Sequence, residues 1–126
     1  MTKAAALFNF FSSFGIDAYE ENSVYALEKQ PDFPYITYEL KTDCLSESDT
    51  MISFSVWYRS TSWTAANAMA ETISKAIGYG GKVISCDDGY IWIKRGSPFA
   101  QSMGDPSDDM IKRKYCTLSV SFLTRD

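Results

Sequence analysis

Histidine is absent from the 126 residues. Its absence removes the commonest general base, the usual serine and cysteine triads, and histidine-based metal sites. Cysteine is sparse. Cys44, Cys86 and Cys116 form an odd, widely spaced set that is neither a disulfide framework nor a zinc motif. They fit a reducing compartment such as a cytoplasm, with Cys86 and Cys116 serving as small apolar residues in strand-like segments. Positive charge is also short, with 12 Lys and Arg against 16 Asp and Glu and a net charge of −4. A broad phosphate-binding face needs the opposite balance, so no specific nucleic-acid binding is expected. The run Lys112-Arg113-Lys114 is read as solvated strand residues. No apolar run approaches the roughly 18 residues that cross a bilayer, and the N-terminal stretch has no secretory cleavage pattern. No membrane partner is expected.

Hydrophobic residues make up 45% of the chain, enough for a sizeable core, and the length predicts a single α+β domain spanning 1–126. The clearest element is a helix over Ser62 to Gly81. Ser62 or Thr61 can cap it, while Trp63, Ala66, Ala70, Ile73 and Ile77 form an apolar stripe. Gly78, Gly80 and Gly81 provide the stop. Two alanines in the stripe predict close approach to a sheet, so Ala70→Trp is expected to damage folding. Residues 3–14 read as a first helix bearing Ala4, Leu7, Phe10, Phe11 and Phe14 on one face, with Phe8 at its edge and Gly15 as the stop. This phenylalanine-rich face either covers the sheet or docks in part on another subunit.

Residues 16–33 mix apolar and acidic side chains and end in a proline-bounded turn, which predicts a partly extended segment and a loop. Tyr35 to Thr42 alternates, with Ile36, Tyr38 and Leu40 on the core face. Met51 to Arg59 alternates again, with Ile52, Phe54, Val56 and Tyr58 inward, and the two strands should pair antiparallel. Lys82–Cys86 and Tyr90–Arg95 flank Asp87-Asp88-Gly89, a strong hairpin signal. Residues 96–110 lose all period and read as a long exposed connection. Lys112 to Leu123 is the longest strand, with Cys116, Leu118, Val120 and Phe122 on one face and a polar face opposite, which implies a sheet covered on one side only. The resulting order is α-β-β-α-β-β-β. It predicts two helices on one face of a five-stranded sheet, antiparallel or, if the crossover through the central helix aligns its flanking strands, mixed.

No chemistry stands out. Gly104 to Asp109 clusters three acids, but their spacing does not match a calcium loop and Asp-Pro-Ser-Asp is a common turn. Gly78-Tyr79-Gly80-Gly81 follows a helix instead of opening one and lacks a phosphate-loop lysine. The adjacent acids Glu20/Glu21 and Asp87/Asp88 fall in predicted loops, and serine or cysteine nucleophiles have no histidine to activate them. No enzyme activity, cofactor or metal is expected.

Two surfaces draw attention. The non-core face of the first hairpin carries Tyr35, Met51 and Trp57, residue types enriched at interfaces. Trp57 is either exposed there or covered by residues 16–33. The connection after Gly96 carries Pro98, Phe99 and Met103, and it either contacts a partner, the preferred reading, or folds back to plug a local core. Replacing Phe99 and Met103 with Ser is expected to weaken assembly and leave the fold intact.

Several stretches resemble the small tail-terminator and head–tail joining proteins of long-tailed bacteriophages. They are Phe33-Pro34-Tyr35-Ile36-Thr37-Tyr38, then Val56-Trp57-Tyr58 leading into Ser60–Ser62. Later come Ile91-Trp92-Ile93-Lys94-Arg95-Gly96 before Pro98-Phe99-Ala100-Gln101, and Lys112-Arg113-Lys114-Tyr115. The similarity is one of pattern, size and element order over roughly residues 30–124, without a single diagnostic motif. It implies a non-enzymatic α+β virion subunit that assembles in the bacterial host cytoplasm. Its place would be the virion tail or the head–tail junction. It would cap the tail tube, commonly as a hexameric ring, and contact the major tail protein and head connector proteins while DNA passes through. Tail-completion, connector and minor tail proteins share the pattern. The interface residues expected on this reading are Phe8, Tyr35, Met51, Trp57, Pro98, Phe99, Gln101 and Met103. The alternative from the residues alone is a cytoplasmic α+β binding module for a peptide or small ligand.

Overall fold

The computed structural model describes residues 1–126 and has the order α1 Lys3–Ser12, β1 Asp17–Glu20, α2 Glu21–Val24, β2 Tyr35–Tyr38, β3 Thr50–Arg59, α3 Thr64–Ile77, β4 Lys82–Cys86, β5 Gly89–Asp105 and β6 Asp108–Thr124. The strands form one six-stranded sheet in the order β1-β2-β3-β6-β5-β4. All neighbours are antiparallel except β1 and β2, which run parallel. The α+β class holds, with one strand and one helical turn more than the five strands and two helices expected.

Both additions fall in residues 16–33. β1 is four residues long and its core-facing position is the small Ala18, so it has no readable period. β1 also accounts for the mixed sheet. The crossover through α3 does not: β3 and β4 are separated by β6 and β5 and run in opposite directions.

One core lies between the sheet and the two longer helices. From α1 come Leu7, Phe10 and Phe11, and from α3 Ile73 and Ile77. The sheet contributes the alternate residues of its central strands, including Ile52, Phe54, Val56, Leu118 and Val120. Phe11 stacks on Tyr38, with ring centroids 4.4 Å apart, and packs on Phe54. α3 crosses β3, β6 and β5, whereas α1 touches both outermost strands, β1 and β4. A ten-residue helix is about 15 Å long, whereas six flat strands would span roughly 24 Å. The sheet therefore curls around α1.

Helix ends follow local chemistry. Thr2 caps α1, its hydroxyl accepting from the Ala5 amide at 3.1 Å. α3 starts later than the sequence suggests. Ser62 Oγ accepts from the Thr64 amide, while Trp63 sits in the cap position, half-exposed, with Lys112 over its ring. Trp63 is thus not part of the buried stripe. Gly78, at φ +79, ends the helix, conformational space open to glycine.

Two strand boundaries are also corrected. β2 ends at Tyr38, leaving Leu40 exposed in the connection to β3. Residues 96–110 are not a loop, because β5 continues to Asp105 and turns at Pro106-Ser107 into β6. The lost period has a physical cause. The register jumps from Arg95 opposite Leu118 to Ala100 opposite Cys116, so Gly96 to Phe99 bulge against Thr117 alone. A side chain at Gly96 would run into the Thr117 hydroxyl and come within 2.9 Å of its carbonyl oxygen. Thr117 Oγ1 donates to the Pro98 carbonyl at 2.6 Å and holds the bulge closed.

Candidate functional site

The sheet face turned away from the helices is where the remaining chemistry gathers. Alternation places Tyr35 and Thr37 of β2, Met51, Ser53, Ser55 and Trp57 of β3, and Arg113, Tyr115, Thr117, Ser119 and Ser121 of β6 on this outer face. Register then pairs Tyr35 with Trp57, Trp57 with Arg113, and Ser55 with Tyr115.

At the β1–β2 end these pairs make a continuous stack. Tyr35 and Trp57 lie nearly parallel, 14° apart, with centroids at 6.0 Å. Phe33 and Tyr19 close on the other side of Tyr35. The Trp57 indole N–H donates to Thr37 Oγ1 at 2.8 Å. The Arg113 guanidinium carbon sits 4.7 Å from the Trp57 ring centroid and 5.4 Å from that of Tyr115, and its Nε donates to Ser55 Oγ at 2.9 Å. The segment around α2 folds over this end through Val24, Tyr25 and Gln30, and a cavity of about 280 Å³ remains beneath it. Tyr35 is only 4% exposed. Burial pushes its hydroxyl pKa above the ordinary value, with the neighbouring Gln30 amide acting the other way. The outer face is therefore covered at one end, where the polar alternation predicted an open side.

The middle of the face is pinned by Asp49, from the connection before β3. Lys94 Nζ and Ser119 Oγ both donate to its Oδ2 at 2.7 Å, and Ser121 Oγ to its Oδ1 at 2.5 Å. These bonds hold the carboxyl down at a pKa of about 2. Beside it, Glu39 accepts from the amide and hydroxyl of Ser53. Partial burial pushes the Glu39 pKa up, but Ser53 and Lys41 outweigh it and the net shift is downward.

The β4–β5 end is bare. Val83 (55% exposed), Tyr90 (55%), Trp92 (37%) and Leu123 (43%) share the outer face there, with Val83 opposite Trp92 and Tyr90 opposite Leu123. The Trp92 indole N–H donates to the Gly80 carbonyl at 2.9 Å, and Lys94 Nζ lies 4.2 Å from its ring centroid. β4 pairs only with β5, and only as far as Ile93. Its outer edge has no strand beside it, and beyond Ile93 β5 is paired with β6 on one side only.

The eight residues singled out from sequence do not form one surface. Tyr35 and Trp57 belong to the covered stack, and Met51 is exposed on the same face, nearer the Asp49 clamp. Phe8 projects from α1 away from the core and is exposed. Pro98, Phe99, Gln101 and Met103 lie within β5. Phe99 faces inward, 6.2 Å from Phe54 between ring centroids, so it packs on the core, while Gln101 and Met103 stay exposed. Phe99 thus belongs to the core and not to an exposed loop, so its replacement is expected to cost stability.

Arg113, Asp49 and the Val83–Tyr90–Trp92–Leu123 patch were missed. Alternation within Tyr90 to Ile93 carried a signal for the patch, because burying Ile91 and Ile93 turns Tyr90 and Trp92 outward. Arg113 alternates with Tyr115 on the outer face, the only hint that it differs from its lysine neighbours. Asp49 carries no local signal, since its partners are 45 to 72 residues away.

The acids at Gly104–Asp109 form a tight turn, with Asp105 accepting from the amide and hydroxyl of Ser107. No group of three or more His, Cys, Asp or Glu side chains converges on a metal-sized site. Burial pushes the Cys116 thiol up to about 12, with Lys114 acting weakly against it, so at neutral pH it is no nucleophile. No helix is long and apolar enough to cross a membrane. No protein-family model matches the chain, and no curated protein matches it.

Proposed function

We propose that this chain is a structural subunit of a bacteriophage tail, acting as the tail terminators do that its sequence pattern resembles. It caps the tail tube and joins tail to head by self-assembly and docking. The observation that carries the proposal is the bare β4–β5 end of the outer face. Four large apolar side chains stand together beside an unpaired strand edge, a combination that isolated soluble domains avoid. Association would cover both the side chains and the edge. If the patch meets a different surface on the next copy, the contact is head-to-tail, and a rotation that closes on itself makes a ring. The net charge of −4 is compatible with DNA passing through such a ring without being gripped. On this reading the role is structural and the site is the tail or the head–tail junction of a virion.

Electron microscopy of the purified protein, alone and mixed with tail tubes, tests the reading. Rings, or protein seated at tube ends, are the expected result. Particles that stay monomeric at high concentration and never associate with tubes would overturn it.

A further inference from the structure

We propose that the cavity beside Arg113 is a binding site for a carboxylate attached to a single aromatic ring. Arg113 reaches the cavity from β6 with its Nε already committed to Ser55, itself buried, and its guanidinium carbon close to both the Trp57 and Tyr115 rings. Its two terminal nitrogens have no hydrogen-bond or ion-pair partner in the chain. A guanidinium held in this way presents a fixed fork of N–H donors, the geometry that matches a planar carboxylate bidentately. Because the fork is already oriented, binding does not have to order it.

The acids near the cavity do not fill this role. Asp105 lies at its rim, but its Oδ1 is used by the amide and hydroxyl of Ser107, at 2.8 and 2.7 Å. Glu21 opens α2 and reaches no cation within ion-pair distance. Both acids line the cavity, but neither lies within ion-pair distance of Arg113, so its terminal nitrogens have no direct anionic partner.

The walls define the rest of the ligand. Phe33, Tyr35 and Trp57 give it flat apolar sides, suited to a ring that stacks or packs edge-on. A volume of about 280 Å³ falls just below the usual range of drug-sized pockets, roughly 300–1,000 Å³. It has room for one ring and its acid group. The same chemistry is offered by a free arylacetic-type acid and by the terminal carboxylate of a polypeptide ending in an aromatic residue. The site requires no self-assembly, so its failure would leave the ring proposal standing.

The test uses the full chain and NMR titration of the Trp57 indole N–H and the Arg113 Nε–H. Phenylacetate is compared with phenylacetamide, and acetyl-Ala-Phe acid with its C-terminal amide. Both acids are expected to shift the two signals saturably and to bind at least about tenfold more tightly than their neutral partners. In Arg113→Gln the acid-over-amide preference should disappear. If that variant does not fold, the acid–amide comparison on the unaltered protein decides alone. Tighter binding of the peptide acid assigns the site to a partner's chain end, and tighter binding of phenylacetate to a small acid. Equal binding of acid and amide, or no saturable shift with either acid, overturns the proposal.

Discussion

The two ends of the outer sheet face have the same ingredients and opposite fates. Each has a tryptophan on a strand, its indole N–H bonded within the chain and a cation over its ring: Trp57 with Thr37 and Arg113, Trp92 with Gly80 and Lys94. At the Trp57 end the segment around α2 folds over the face, burying Tyr35 and leaving a partly open cavity beneath it. At the Trp92 end nothing covers the face, and Val83, Tyr90 and Leu123 remain in solvent. An aromatic residue on a polar sheet face therefore does not by itself mark an interface. What decides is whether the chain supplies its own cover.

This contrast separates stability from assembly. The largest stability loss is expected for Trp57→Ala. Removing a half-buried indole that stacks on Tyr35, supports Arg113 and bonds Thr37 should cost about 2–3 kcal/mol, seen as a lower midpoint in urea unfolding. Next comes Phe99→Ser, which removes a ring packed on Phe54 and should cost about 2 kcal/mol. Met103→Ser in the same strand should move the midpoint little. Full stability in Phe99→Ser would mean that the bulge does not seat the ring in the core.

Asp49→Asn probes the boundary between the two ends. Loss of its bonds to Lys94, Ser119 and Ser121 should cost about 1 kcal/mol at neutral pH. Its folded pKa of about 2 lies below the ordinary value of 3.8, so the unfolded chain takes up this proton first. The carboxylate's contribution is complete above about pH 4 and is lost as the pH falls towards 2. Unfolding of the native protein and of Asp49→Asn should therefore converge across that window. A difference as large at pH 2 as at neutral pH would refute the assignment. The smallest stability effect is expected for the bare end. Val83→Ser and Leu123→Ser should each stay within about 0.5 kcal/mol while weakening association.

Much of this was legible in the sequence. Strict alternation marked the inner residues of β3 and β6, helical spacing marked Ala66, Ala70, Ile73 and Ile77, and Asp-Gly marked the β4–β5 hairpin, all of which are local patterns. The misses have non-local causes. β1 is too short to show a period and exists because β2 is there to pair with it. The bulge at Gly96–Phe99 breaks the alternation of β5 without ending the strand, so one long hairpin read as a loop. At the outer face, Tyr35 and Trp57 were visible as aromatic residues, but their cover comes from a segment with no regular pattern of its own. The Asp49 clamp joins residues that only the folded sheet brings together.

The proposal that the bare end is the assembly surface is tested most directly by light scattering with a Val83→Ser, Leu123→Ser double variant. Mass would be measured against concentration, with and without tail tubes, beside the unaltered protein. The account predicts that the unaltered protein gains mass as a ring or on tubes, while the double variant remains a folded monomer. Equal assembly of the two, or a strictly monomeric unaltered protein under both conditions, would contradict it.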